Sequence, residues 1–412
     1  MDESDNNSLF LVVPVPHVVI NGEIRLEPQS LHGMNMYAEN FSSVTVALPE
    51  LPTYLQNSGH SNWLPISELK YPDRVTILPL PWGYSPVQHF KHYRYVADLL
   101  SKNIETHQYL QFAIGGYFGD WGALACILSK KVDRPYSVWA DRVEPEIIRK
   151  TDNDSLKKKI RNFYLLKLME MQEQKVVTNA SVGLFNGSET FNFYKRFNKN
   201  SHQLHDIHTT IDQQISQPEL ELKTENLNAR KPLKVVYFGR ASAMKAPLQW
   251  IEVLKALSDN NVEFTATWYG DGEELEALKQ KINEYNLDDC ITAPGFCSDH
   301  GFLMQELKKA DIFLFTHVTP ESPRCLIEAL VCGAPIIGYE SDYTKNLINK
   351  YGGGSLVKIG EIQKLANTIF ELNKDREELA TLTKQAAENG KRFNDIAAFK
   401  ERSDLIKEFS AR

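Results

Sequence analysis

From Leu233 onward, short apolar runs alternate with stretches of helical spacing, and each apolar run ends in a turn. LKVVYFGR is followed by APLQWIEVLKAL, FTATWYGDG by EELEALKQKINEY, and CITAPGF by FLMQELKKA. DIFLFTHV then leads into a short apolar helix that stops at Gly333, before APIIGYE. Such alternation predicts a parallel sheet with helices on both faces. The first half carries a rougher version of the pattern. SLFLVVPV, SVTVALP, RVTILPLP, YLQFAIGG, PYSVWA and VGLFNG read as strands, and PVQHFKHYRYVADLL and DWGALACILSKK as helices. Residues 213–232 are polar and carry prolines, so they read as a connector. AAFKERSDLIKEF, near the end, reads as an amphipathic helix that packs back on the first half. The expected fold class is α/β, with two doubly wound domains, 1–228 and 229–395, and a returning helix at about 396–412. Facing each other, the two would share a cleft at their strand C-termini, where open sheets of this kind bind ligands.

Composition narrows the class of protein. A chain of 412 residues is too long for one core and comfortable for two. With 42% hydrophobic and 24% charged residues it has the balance of a soluble globular protein. A net charge of -7 argues against a dedicated nucleic-acid binder, so no nucleic-acid partner is expected. Five cysteines, an odd number without paired spacing, suit a reducing compartment. MDESDNNSLF is acidic and polar, unlike a signal peptide, and no apolar run reaches the roughly 18 residues of a membrane span. A cytoplasmic location is the expectation. LKKKIRNFYLLKLMEM, residues 156–171, has two readings: a peripheral contact with an anionic membrane, or a packed helix with solvated lysines. Its cations do not form one clean helical face, which favours the packed helix.

The chemistry concentrates in the second half. In TPESPRCLIEALVCGAPIIGY, residues 319–339, Ser322 reads as a helix cap and Pro323 as the first helical residue. A helix start with unpaired amides favours anions. Glu328 lies five residues past Pro323 and is one carboxylate amid Leu326, Ile327, Leu330 and Val331. Such a carboxylate accepts two hydrogen bonds from a vicinal diol, as a ribose offers. After the strand VVYFG come Arg240 and Lys245. Either alone reads as surface charge; both, at the end of a cleft-facing strand, read as a diphosphate site. Gly270-Asp271-Gly272 ends the next strand and is either an ordinary tight turn or a place of close backbone approach.

YFGRASAMKAPLQWIEVL, WYGDGEELEALK, ITAPGF, KKADIFLFT, ESPRCLIEALVCGAPIIGY and GGGSLVKIGEIQKLA together resemble the donor half of retaining glycosyltransferases of the group 1, family 4 class. The resemblance covers nearly all of residues 233–395 in order, and it is specific as a set. It implies the GT-B fold, two facing Rossmann-like domains, with the first half on the acceptor side and the second binding the nucleotide sugar. It also implies transfer of a sugar, with retention, from a UDP- or GDP-linked donor to a hydroxyl of a glycan or lipid-linked acceptor in polysaccharide biosynthesis. Neither a cofactor nor a metal is expected. In this family an Arg and a Lys after the first donor-domain strand hold the diphosphate, which implies that role for Arg240 and Lys245. The ribose glutamate falls on Glu328. Gly239, Gly270, Gly272 and Phe296, at strand ends, and Ser322, Pro323, Arg324 and Cys325, at the helix start, complete the expected donor site. The family's other glutamate, eight residues before the ribose one, falls on Pro320, with Glu321 one residue late. Either Glu321 serves, or backbone amides of Ser322 to Cys325 hold the sugar. The displaced glutamate keeps a non-catalytic sugar-nucleotide-binding protein open as an alternative, and the fold keeps an epimerase or hydrolase open.

The first half matches the family only in outline. Gly115 and Gly116 follow YLQFAI and either line the cleft with backbone or make a plain strand-to-helix turn. PYSVWADRVE is similar to a family strand that ends in a cleft histidine; here Asp141 stands in that place, followed by Arg142 and Glu144. Asp141 either orients a hydroxyl of acceptor or sugar, or caps a helix. His202, His205, Asp206 and His208 match no common zinc spacing, and strand alternation would put His205 and His208 on opposite sides. His205 is therefore expected as an acceptor-side residue rather than a metal ligand.

Overall fold

The computed structural model describes residues 7–56, 62–150, 156–319 and 321–411. The chain forms two compact units, Met1–His208 with Asp395–Arg412, and Thr209–Asn394.

Among the described residues the first unit holds ten strands. They are β1 (Ser8–Val12), β2 (Val18–Ile20), β3 (Glu23–Leu26), β4 (Ser43–Pro49) and β5 (Leu64–Pro65). The later ones are β6 (Val75–Leu80), β7 (Tyr109–Ala113), β8 (Ser137–Ala140), β9 (Val182–Asn186) and β10 (Ser201–Leu204). Seven make a sheet in the order β10-β9-β8-β7-β1-β4-β6, with every pairing parallel. β1, β8 and β9 are buried along their whole length, which is why they read as unbroken apolar runs rather than alternating ones. Alternate side chains of β1 feed opposite faces. Phe10 and Val12 join Leu100 and Ile104 of helix Pro86–Thr106, while Leu9 and Leu11 join Tyr37 of helix Pro28–Asn40. The last helix, Asp395–Ser410, packs on that second face through Phe399 and Ile406, and its Arg402 guanidinium lies 3.8 Å above the Trp139 ring. β2, β3 and β5 form a small antiparallel sheet that the sequence pattern did not reveal.

Among the described residues the second unit has six parallel strands. They are β11 (Leu233–Phe238), β12 (Phe264–Tyr269), β13 (Ile291–Gly295), β14 (Ile312–Phe315), β15 (Ile336–Tyr339) and β16 (Gly354–Val357). Their order, β13-β12-β11-β14-β15-β16, makes the chain run outward on one side and then cross back beside β11. The gap between the C-terminal ends of β11 and β14 is therefore the topological switch point, the place where such sheets take ligands.

Two expectations need correction. The boundary lies at 208/209 and not at 228/229, and residues 213–232 are not a plain connector. Ser216 and Glu219 close a capping box on helix Gln217–Asn228, and Pro218 sits in its first turn, where a missing N–H costs nothing. Pro218, which read as a breaker, thus helps start a helix. Its Lys223, Thr224 and Leu227 are buried in the second unit, and Lys223 Nζ reaches the carbonyls of Leu307 and Cys332 at 3.5 Å.

The stretch read as a packed helix is also only partly so. Within helix Leu156–Asn179, Met169, Val176 and Val177 are buried, but Phe163, Tyr164, Leu168 and Met171 are exposed. Tyr164, Leu168 and Met171 follow helical spacing and line up on one outward stripe. Among the described residues no helix is long and apolar enough to cross a membrane.

The same helix carries a buried acid. Glu173 accepts a hydrogen bond from Tyr194 Oη at 2.8 Å. Burial pushes its carboxyl from 4.5 up to about 8, against the opposing effect of the Tyr194 bond. Because the folded value lies above the unfolded one, the folded chain holds the extra proton between those limits. Stability then falls as pH rises through that window. Glu173→Gln should melt near wild type at about pH 5 and clearly higher at about pH 9, by on the order of a few kcal/mol. Thermal denaturation at both pH values reads this out; a gap independent of pH would contradict it.

Candidate functional site

The loops after β11, β12 and β13 are knitted by backbone hydrogen bonds. Gly239 N–H donates to Tyr269 O at 3.0 Å, Gly270 N–H to Gly295 O at 2.9 Å, and Ala241 N–H to Asp271 O at 2.9 Å. A Cβ on Gly270 would lie 1.9 Å from Gly239 O, and one on Gly272 would lie 2.4 Å from Ala241 O. The close approach read from GDG is thus an approach of these loops to each other.

On that base stands the loop carrying the two cations. Arg240 is exposed. Lys245 N–H donates to Ser242 O at 2.9 Å, and Ala246 turns into the left-handed region with φ 47° before helix Pro247–Asp259. Thr316, just past β14, donates its hydroxyl to both Lys245 O at 2.9 Å and Ala246 O at 3.0 Å. The end of β14 thereby clamps the loop after β11 across the switch point. Lys245 Nζ then donates to Glu321 Oε1 at 2.6 Å, with the two side chains only 14% and 17% exposed. His317 Nδ1 lies 3.4 Å from the same oxygen, and His317 Nε2 lies 2.7 Å from Tyr237 Oη. Burial, and then the Lys245 ammonium, hold the His317 imidazole well below its ordinary value. Burial likewise pushes the Cys325 thiol up to about 12, so it stays protonated and is no nucleophile.

Helix Arg324–Val331 follows. Pro323, with φ -71° and ψ 128°, is its N-cap, so the expected cap at Ser322 and helical start at Pro323 are each one residue early. Proline's fixed φ suits the flanking extended residue as well as the first helical one. Leu326, Ile327, Ala329, Leu330 and Val331 are buried, leaving Glu328 on the other side. Glu328 Oε1 lies 3.2 Å from His300 Nε2, and His300 Nδ1 lies 3.3 Å from Gln213 Nε2. The Glu328 carboxylate raises the His300 pKa above its ordinary value, against the effect of burial. His300 opens helix His300–Lys309, capped by Asp299, and Phe296 is half exposed in the loop before it. Pro320, where the family places its other glutamate, lies outside the described residues.

Of the residues singled out from the sequence, the structure brings Lys245 and Glu321 together and sets Glu328 on the helix that follows; their contacts with His317, Tyr237, His300 and Gln213 were not anticipated. Asking of the loop after β13 what was asked of its neighbours would have flagged His300. His317 was hidden in DIFLFTHV, where it read as the tail of a strand.

In the first unit, Gly115 and Gly116 follow β7, and Asp120 fixes the turn. Asp120 Oδ2 accepts from Gly115 N–H at 3.1 Å, and Oδ1 accepts from Ala123 N–H at 2.8 Å, capping helix Trp121–Lys131. Burial raises that carboxyl to about 6, against the backbone donors. Asp141 is exposed at the end of β8, and its Oδ1 accepts from Trp139 Nε1 at 2.7 Å. Arg142 Nε is bound to Glu144 Oε2 at 2.7 Å. Only His202 of the histidine group lies on a strand, because β10 ends at Leu204, so the alternation argument does not reach His205 or His208. His208 Nε2 lies 3.2 Å from Asp206 Oδ1. Among the described residues no three His, Cys, Asp or Glu side chains converge as a metal site.

Each unit carries a parallel sheet, and in the second the Lys245–Glu321 pair lies beside the switch point, where doubly wound sheets take ligands. The structure of Anabaena Alr3699/HepE in complex with UDP matches 98% of this chain and 100% of its own, with a TM-score of 0.67 at 17% identity, which establishes the fold. Residues 219–390 match the family model of Glycosyl transferases group 1. The amylovoran biosynthesis glycosyltransferase AmsK of Erwinia amylovora is 27% identical over 206 residues, 47% of this chain and 50% of that protein. The 2-deoxystreptamine N-acetyl-D-glucosaminyltransferase of Niallia circulans is 28% identical over 151 residues, 37% of this chain and 38% of that protein. The chain spans half or less of the length of these curated relatives.

Proposed function

We propose that the protein is a retaining, metal-independent glycosyltransferase that moves a sugar from a UDP- or GDP-linked donor to an acceptor hydroxyl in polysaccharide or glycan assembly. The observation that carries this reading is the Lys245–Glu321 pair at the switch point, on the same segment that leads into the Glu328 helix. All of these residues lie inside the matched domain. Arg240 and Lys245 take the diphosphate, Glu328 the ribose and Glu321 the transferred sugar. As the glycosidic bond breaks, negative charge grows on the departing nucleoside diphosphate, and fixed cations stabilise it most at that moment. The leaving phosphate takes the acceptor proton, so no separate base is required. Asp141, at the end of β8, orients the acceptor hydroxyl, and a glycan or lipid-linked acceptor meets that unit. The stripe of Tyr164, Leu168 and Met171 is the surface suited to a membrane that carries a lipid-linked acceptor. A relative named as an amylovoran biosynthesis glycosyltransferase, and a structural neighbour in complex with UDP, support the same reading. The binding-only alternative drew on the displaced glutamate, and it loses weight with Glu321 beside Lys245.

Calorimetric titration with UDP and with GDP tests the donor site. One of them should bind wild type, and Glu328→Gln should weaken it by about 1–3 kcal/mol, because charge-assisted hydrogen bonds to the ribose become neutral ones. A folded wild-type chain that binds neither, or an unchanged variant, would sink this assignment.

A further inference from the structure

Behind Glu321 stands a buried imidazole that the scheme above leaves without a task. His317 Nδ1 faces the Glu321 oxygen that Lys245 also holds, and Nε2 faces Tyr237 Oη inside the sheet. Donor and acceptor counting fixes the direction of this chain. A carboxylate oxygen only accepts, so the Nδ1 that faces it carries the ring proton. A neutral imidazole then has a bare Nε2, which accepts from the Tyr237 hydroxyl. Burial keeps both ends in these states: it disfavours a second proton on His317 and holds the Tyr237 phenol well above its ordinary value.

We infer that His317 is a positioning residue for sugar transfer: its Nδ1–H, set by Tyr237, holds Glu321 in place for the transferred sugar once Lys245 turns to the diphosphate. The inference rests on the sugar-transfer reading above. Its physical core is the double duty of Lys245. In the structure that ammonium is the nearest partner of Glu321, at 2.6 Å. A diphosphate draws on the same charge, which leaves a mostly buried carboxylate needing another donor. His317 Nδ1 already lies beside it, at 3.4 Å. Pinned by Tyr237 on one side and enclosed by the sheet, it has little rotamer freedom to lose, and long contacts of this kind tighten when substrate binds. A carboxylate held this way meets a sugar hydroxyl in one orientation, which is where rate is gained.

Three substitutions in the full chain test it, each with thermal melts, UDP and GDP affinity, and kcat and KM for the donor that wild type uses. His317→Leu removes both ring nitrogens, His317→Asn keeps a donor near the Nδ1 position, and Glu321→Gln weakens the group being positioned. His317→Leu should lower kcat by about tenfold or more. Its nucleoside diphosphate affinity should stay within about twofold, since that ligand lacks the transferred sugar that Glu321 would meet. His317→Asn should recover most of the rate. Combining His317→Leu with Glu321→Gln should cost no more than the worse single change, because both act on one contact. Should the Leu variant fold poorly, His317→Gln decides instead. Its amide reaches toward the Nε2 side, so it must be slow where Asn is fast, and equal rates overturn the inference. A normal kcat for His317→Leu in a working enzyme overturns this inference alone, as does a loss that Asn does not restore or that falls equally on nucleoside diphosphate affinity. A wild-type chain that binds neither nucleotide overturns the sugar-transfer reading, and this inference with it.

Discussion

Arg240→Ala and Lys245→Ala should each lower turnover by on the order of 10²-fold or more, while donor binding falls much less. On the proposed reading both cations meet a group whose charge is larger in the transition state than in the bound donor, so their loss should show in kcat before KM. Arg240 offers a planar fork and Lys245 a point charge, so the two are not interchangeable on a diphosphate. The double variant should cost less than the sum of the singles, since both act on one leaving group. Their stabilities should differ. Arg240 is exposed, so its removal should leave the melting temperature unchanged. Lys245 is mostly buried against Glu321, so removing it strands a carboxylate and should lower the melt. A double-mutant cycle on kcat, with melts as control, measures all of this. Small and strictly additive rate effects would place the diphosphate elsewhere.

Gly270→Ala should unfold or severely weaken the second unit. The added Cβ would sit 1.9 Å from Gly239 O and 2.7 Å from Gly239 C, both rigid backbone atoms. Gly270 also has φ 151°, where a side chain is strained regardless of space. Relief requires the β11 and β12 loops to part, which breaks the bonds Gly239 N–H to Tyr269 O and Gly270 N–H to Gly295 O. The cost should be on the order of 3 kcal/mol or more. Gly115→Ala is the matched control, because a Cβ there meets nothing within 4 Å. Thermal denaturation should separate the two variants widely; a Gly270→Ala chain that melts like wild type would contradict the packing of these loops.

The contrast between those glycines shows what a sequence can carry. GDG announced a tight place, but whether a ligand or another loop fills it depends on strand order, which no local pattern holds. The parallel sheets were legible because buried strands such as SLFLV and LKVVYF are near-continuous apolar runs with helical spacing behind them. β3 and β5 escaped because only Leu26 is buried among their residues, leaving no apolar run to read. QQISQPELELKTEN misled because Ser216, Pro218 and Glu219 are start signals as well as loop formers. At the candidate site, Glu328 and Lys245 stood out through spacing and residue type. His317 and Tyr237 act through contacts about 80 positions apart in sequence, which only the folded sheet brings together.

The most direct test of the central claim is product analysis. Wild type is incubated with a panel of UDP- and GDP-sugars, with and without an extract of glycolipid and polysaccharide acceptors, and both products are quantified. The account predicts that nucleoside diphosphate release depends on acceptor and is matched one for one by sugar newly linked to it. Release that yields free sugar at the same rate without acceptor would contradict transfer, as would a protein that binds the nucleotide and releases nothing from any donor.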